Sequence, residues 1–210
     1  MERKKTMKLP NENTLNLLFE YEVGGGQRYY EKVGLDKFTW PGGQSGPTIG
    51  IGIDCAYYSK SELADIFKFL NEDQIRLIQG AIGQTGDKGK EYTKTLRRAG
   101  ITIPWERAVD LFEELTWPKY ARATEFIYPE SINLCDDAYG ALVSLVFNRG
   151  TSLKGPSRKE MLAIKSLVAK QDYNGIAKQL RLMKRLWQGS SVEGLVKRRE
   201  AEAKAVESCA

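Results

Sequence analysis

Glu22, Thr48 and Asp54 are residues whose types and placement can do chemistry together. Glu22 closes an amphipathic stretch (Leu15, Leu17, Leu18, Phe19) and is followed almost at once by Gly24, Gly25 and Gly26. A carboxyl group at a helix end, facing a glycine-rich turn and partly desolvated by aromatics, can serve as a proton donor. Asp54 ends the run Thr48-Ile49-Gly50-Ile51-Gly52-Ile53-Asp54. Its isoleucines alternate with small or polar residues, which predicts a half-buried strand with Thr48, Gly50, Gly52 and Asp54 on one face. The glycines leave that face open to close approach by a ligand or another backbone. Two carboxylates across a cleft are what glycoside hydrolysis needs: one protonates the departing oxygen and the other handles water or the cation. The same residues also suit plainer duties, Glu22 as a solvated charge, Asp54 as a turn or cap residue, and Thr48 as an ordinary strand residue.

Other chemistries are excluded by what the chain lacks. It has no histidine in 210 residues, which removes Ser-His and Cys-His catalysis, histidine-bearing zinc sites and any imidazole base. Gly80, Gly83, Gly86 and Gly89 recur near Lys88 and Lys90. A phosphate loop requires GxxxxGK[ST], whereas the position five before Gly89 is Gln84 and Lys90 is followed by Glu91. That run reads as a loop or weak helix. No metal or cofactor is implied.

Most of the chain that must hold these residues reads as helix. A short helix is predicted over about 12–22. Pro104 suits the first turn of a helix carrying Ala108, Leu111, Phe112 and Leu115, and Pro118 should end or kink it. Residues 136–149 open on Asp136-Asp137, are apolar almost all round, and stop at Gly150, which marks them as the central buried helix. A last helix covers roughly 191–207. Ser59…Glu62, Ser157…Glu160 and Ser190…Glu193 each carry capping-box spacing. Residues 24–58 differ in composition, rich in glycine and aromatics with the turn-rich run Trp40–Pro47, and read as a small β-lobe.

Length suits one compact domain or two small lobes. Lys and Arg number 32 against 27 Asp and Glu, and the excess is concentrated: residues 151–210 hold 13 basic and 6 acidic side chains. Such a segment suits a polyanion, nucleic acid or a bacterial wall, or else a set of solvated helix faces. Three cysteines, Cys55, Cys135 and Cys209, are too few for a disulfide scaffold, and a reducing compartment is the easier reading. The basic N-terminus lacks the apolar run of a signal peptide, and no apolar stretch reaches about 18 residues, so no membrane insertion is expected.

Three segments, in order, carry a resemblance. Glu22-Val23-Gly24-Gly25-Gly26 through Trp40-Pro41-Gly42-Gly43 to Thr48…Asp54 resembles the catalytic segment of the phage-type lysozymes, closest to the pesticin-like muramidases of that superfamily. Ala141–Gly150, with Phe147-Asn148-Arg149-Gly150, resembles their central helix and its Phe-Asn-x-Gly end. Gly194-Leu195-Val196-Lys197-Arg198-Arg199-Glu200-Ala201-Glu202 resembles their C-terminal Arg-Arg helix. The resemblance implies an α+β, lysozyme-like single domain over 1–210, with a β-lobe at about 23–58 and a helical lobe at about 59–210 plus the helix at 12–22. It implies a muramidase acting on the β-1,4 bond between N-acetylmuramic acid and N-acetylglucosamine, with a lean toward inversion. Glu22 would be the general acid, with Glu20 and Glu31 as weaker rivals. Asp54 would be the second acid, with Asp36 as its rival because Thr39–Pro47 is longer than in the simplest phage lysozymes. Thr48 would position water, Asn148 would contact the glycan, and Arg198 or Arg199 would lie near Glu22. Tyr29 and Trp40 can stack on sugars or form the lobe's own small core. The implied partner is the peptidoglycan glycan strand rather than nucleic acid. The enzyme is expected to be a monomer made in the cytoplasm, reaching the wall through a holin or secretion machinery as an endolysin or antibacterial effector. A wall-binding module that keeps the fold without catalysis is the alternative.

Overall fold

The computed structural model describes residues 7–189 and 193–210. In chain order the helices and strands are α1 (Glu12–Glu22), α2 (Gln27–Lys32), β1 (Thr48–Ile49), β2 (Ile53–Asp54), α3 (Lys60–Ile66), α4 (Glu72–Gln79), α5 (Gly86–Arg98), α6 (Trp105–Leu111), α7 (Trp117–Ile127), α8 (Asp136–Arg149), α9 (Lys159–Ala169), α10 (Tyr173–Leu182) and α11 (Glu193–Glu207). The fold is the mainly helical, lysozyme-like α+β class, with one two-stranded antiparallel sheet among the described residues. The chain divides into two compact units: Val23–Phe112, and the chain up to Glu22 together with Glu113–Ala210.

In the Val23–Phe112 unit the isoleucine run is a hairpin, not the single strand its alternation predicts. Thr48 pairs with Asp54 and Ile49 with Ile53, and the chain reverses through Gly50 and Gly52 at φ +66° and +81°. Those glycines supply a backbone conformation that side chains resist, so they turn the chain rather than open a face. Ile49, Ile51 and Ile53 are all buried, as the pattern requires. Composition placed the end of the β-lobe near residue 58, whereas this unit runs to Phe112. The cause is packing. Lys37 bridges Thr102, the Ile103 N–H donates to the Asp36 carbonyl at 2.9 Å, and Tyr30 stacks edge-on with Trp105 at 5.3 Å. The glycine-rich run beside Lys88 is an ordinary close approach. A Cβ at Gly89 would sit 2.9 Å from the Ser45 carbonyl and 3.0 Å from Gly46 Cα, so only glycine lets α5 lie on that loop.

In the other unit α8 occupies the centre. Every residue from Ala138 to Val146 is buried, and the helix packs on α1, α7 and α11. Its bounds agree with the expected 136–149, and Gly150 ends it at φ +69°. A Cβ at Gly140 would collide with Thr14 Oγ1, so this glycine sets how closely α1 can lie against α8. Cys135 and Cys209 form a disulfide, their Cα atoms 6.3 Å apart, and Cys55 is buried and free. The cysteine count alone did not point to this pair: a separation of 74 residues hides that the start of α8 lies beside the end of α11.

Two local expectations also change. Pro118 stands in the first turn of α7 rather than ending a helix, and a π-helical turn over Phe112–Thr116 precedes it. Ser157 caps nothing. Pro156–Arg158 forms a 3-10 turn, and the buried Glu160 carboxylate accepts from Arg185 Nε at 2.7 Å instead. The Ser59…Glu62 capping box is present, whereas Ser190 of the third box lies outside the described residues.

Part of the C-terminal basic excess is internal. Arg181 pairs with Glu200 and Glu207, and Lys184 also reaches Glu200. The hydrogen bonds from Arg181 and Lys184 hold the Glu200 carboxyl down at about 2. A carboxylate depressed on folding stabilises the protein fully above its ordinary value of 4.5, and that stability is lost as pH falls through about 2. Glu200→Gln should therefore lower the urea midpoint at pH 6, with the gap to wild type closing as pH drops toward 2. An equal gap at both pH values would contradict the clamp between α10 and α11.

Candidate active site

Glu22 is the last residue of α1, which lies against both α8 and α11. Its side chain is 26% exposed, and its Oε1 accepts from Arg198 Nη1 at 2.5 Å. A cavity of about 340 Å³ is lined by Tyr21, Glu22, Asn148, Gly194, Leu195 and Arg198. Residues from three helices far apart in sequence, Glu22, Asn148 and Arg198, thus meet in one place.

Arg198 is held on its remaining edges. Its Nε donates to Ser144 Oγ at 3.2 Å and to Glu202 Oε1 at 3.3 Å, and its Nη2 donates to the Ser144 carbonyl and hydroxyl, both at 3.1 Å. Ser144 Oγ in turn donates to Glu202 Oε1 at 2.6 Å, and Arg199 Nη2 donates to the same oxygen at 2.6 Å. Arg198, Arg199, Ser144 and Glu202 are all buried. A planar guanidinium fixed on two edges by a buried carboxylate and a hydroxyl presents its third edge in one direction, and that edge meets Glu22. Burial pushes the Arg199 guanidinium below its ordinary value, with the Glu202 charge opposing. The Tyr21 hydroxyl is pushed up by burial, with Glu20 and Glu202 adding to the shift.

The Val23–Phe112 unit holds the other expected residues. Asp54 caps a 3-10 turn: its Oδ1 accepts from Ala56 N–H at 3.1 Å, and its carboxylate accepts from Gly46 N–H at 3.0 and 3.2 Å. Thr48 lies directly across the hairpin and is buried, its hydroxyl donating to the Gly46 carbonyl at 3.2 Å. Asp36 is in a separate cavity with Tyr30, Glu31 and Trp105, and its Oδ1 is buried with no hydrogen-bond partner among the described residues. Trp40 braces its own loop, Nε1 donating to the Ser45 carbonyl at 2.9 Å with the Lys90 ammonium 5.4 Å from its ring centre. Tyr29 is exposed beside Gly24, Arg28 and Lys32.

Sequence reasoning missed Ser144, and reached Glu202 only as one of two acids, with Glu200, that could pair with Arg198 and Arg199. Ser144 is the lone hydroxyl inside the apolar run 141–147, and Glu202 stands one helical turn beyond both Arg198 and Arg199. A polar atom in a fully buried run, facing a basic pair with an acid at i, i+4, is a readable sign of a buried ionic cluster.

A family model of phage lysozyme matches residues 81–202, more than half of the chain. The chain belongs to the phage lysozyme family. No curated protein matches it. The matched stretch contains Asn148, Ser144, Arg198, Arg199 and Glu202, while Glu22, Thr48 and Asp54 precede it. A phage lysozyme is a glycoside hydrolase whose substrate is peptidoglycan, so the chain acts on the cell wall. Among the described residues no helix is long and apolar enough to cross a membrane.

Proposed function

We propose that this phage lysozyme is a muramidase that hydrolyses the β-1,4 bond between N-acetylmuramic acid and N-acetylglucosamine, with Glu22 as general acid. The observation that carries this reading is the Arg198–Glu22 contact at the edge of a cavity shared with Asn148. Glu22 delivers its proton to the bridging oxygen as the bond to the muramic acid carbon breaks and positive charge develops on that ring. The carboxylate left behind is stabilised by the fixed edge of Arg198. That interaction strengthens as the proton departs and therefore favours the transition state over the ground state. Asn148, exposed at the end of α8, offers an amide to the hydroxyl and acetamido groups of the strand.

Asp54 is the second carboxylate in this reading, and Thr48 is its neighbour. The backbone N–H groups of Gly46 and Ala56 fix the Asp54 carboxylate in one orientation, and it takes the proton of the attacking water. Attack by water on the face opposite the leaving group inverts the anomeric centre. Asp54→Asn keeps the shape and one acceptor oxygen but removes the base, so reducing-end release from purified peptidoglycan should fall by about 10²-fold or more. Asp36→Asn should release reducing ends at close to the wild-type rate. The reverse ranking would transfer the base to Asp36.

A further inference from the structure

A second cavity, of about 380 Å³, is formed by the segment that follows Glu22 in the chain, and the mechanism above leaves it unused. Gly24, Gly25, Arg28, Tyr29 and Lys32 line it. Its backbone wall turns through Gly24 and Gly25 at φ +62° and +106°. The Tyr29 ring lies so close to Gly24 that a Cβ there would meet three ring carbons at 2.8–2.9 Å. Glycine at 24 is thus what lets the aromatic ring seat on the backbone and shape the wall. Arg28 and Lys32 are one helical turn apart on α2, so their side chains project from the same face.

Neither cation has an internal partner among the described residues. The acid within reach on the same helix, Glu31, accepts from Gln27 Nε2 at 2.9 Å, and no ion pair engages Arg28 or Lys32 among the described residues. Arg76, Arg181 and Arg185 each have their acids beside them. Two unpaired cations converging on a cavity with an exposed aromatic wall suit an extended ligand with more than one negative group and some apolar surface. In peptidoglycan the N-acetylglucosamine units are neutral, and most of the carboxylates lie on the stem peptides.

We propose that this cavity binds the stem peptide of the peptidoglycan strand, Arg28 and Lys32 taking its carboxylates while Tyr29 packs on its aliphatic portion. The inference rests on the muramidase reading, since it supplies that enzyme with a peptide-recognising site.

The test compares wild type with the Arg28→Gln/Lys32→Gln double variant on two substrates freed of wall phosphate polymers. One is intact peptidoglycan and the other is glycan strands stripped of peptides by an amidase. Both altered positions are exposed, and melting curves establish that the variant folds. On intact peptidoglycan KM should rise about tenfold with kcat nearly unchanged, while on stripped strands it should rise at most about twofold. A Lys165→Gln/Lys170→Gln variant, which removes two exposed charges elsewhere, should match wild type on both substrates. Equal KM on intact peptidoglycan for wild type and the double variant would overturn the proposal. An equal rise on both substrates would overturn it too: the amidase removes the stem peptides and frees a lactyl carboxylate on each muramic acid in their place, so the two cations would be answering to anionic charge on the strand and not to the peptide. A similar rise with the Lys165/Lys170 variant would reduce the effect to general charge attraction. Wild type that releases no reducing ends from either substrate would instead remove the muramidase reading on which the site depends.

Discussion

Glu22→Gln should lower kcat for peptidoglycan hydrolysis by at least about 10³-fold while leaving the fold intact. The substitution keeps the shape of the side chain and an oxygen that can accept from Arg198 Nη1, but it removes the proton that the departing oxygen needs. Glu22 is the partly exposed member of its ionic cluster, with 26% of its side chain reachable by solvent. Arg198 also keeps Ser144 and Glu202 in the Glu22→Gln protein. Loss of activity should therefore come with a melting temperature close to wild type and an unchanged far-UV circular dichroism spectrum. A Glu22→Gln protein that turns over at even a tenth of the wild-type rate would remove Glu22 from the role of acid.

The second large effect falls on stability. Glu202→Gln should cost about 3–5 kcal/mol, the range for breaking a buried charge pair and leaving its partner uncompensated. Glu202 has no solvent exposure, and its Oε1 receives Ser144, Arg198 and Arg199 together. Without its charge, Arg198 would keep only the partly exposed Glu22, and Arg199 would be left with no carboxylate partner among the described residues. For a chain of this size that loss should appear as a fall of roughly 10 °C in melting temperature and a lower urea midpoint at unchanged slope. Activity measured well below the transition should also fall, because the edge of Arg198 that meets Glu22 is no longer fixed. A Glu202→Gln protein as stable as wild type would contradict the buried ionic cluster.

The sequence carried some of this architecture more clearly than the rest. The bounds of α1 and α8 were readable because an apolar stripe in one, and a run apolar on all sides in the other, ended at glycines. The hairpin was not readable as one: alternation of isoleucine with glycine has the same period in a straight strand as in two short strands, and only positive φ at Gly50 and Gly52 separates them. The Ser157 capping box failed because a local pattern cannot show that Arg185, far along the chain, takes the Glu160 carboxylate. The disulfide was hidden for the same reason.

At the site, residue type and placement pointed to Glu22, the resemblance to phage-type lysozymes added Asn148 and one of Arg198 and Arg199, and Glu22, Asn148 and Arg198 line one cavity. Sequence proximity offers both Glu200 and Glu202 to the arginine pair, but only Glu202 stands three and four residues on, the spacing that brings side chains onto one helix face. The fold sends Glu200 outward to Arg181 and Lys184 and buries Glu202 under Arg198 and Arg199. Two residues along a helix turn a side chain by about 200°, and the difference between solvent and core at these two positions depends on what packs beside α11. Trp40 shows the opposite case. An aromatic in a glycine-rich lobe fits sugar stacking and loop bracing equally well by composition, and its indole N–H donates to the Ser45 carbonyl.

The most direct measurement is mass spectrometry of the fragments released from purified peptidoglycan by wild type and by Glu22→Gln, with reducing ends labelled by borohydride reduction. Wild type should yield muropeptides whose reduced terminus is N-acetylmuramic acid, and Glu22→Gln should yield none. Fragments ending in reduced N-acetylglucosamine would place the cut at the other glycosidic bond, and muramic acid ends from both proteins would leave Glu22 without its role.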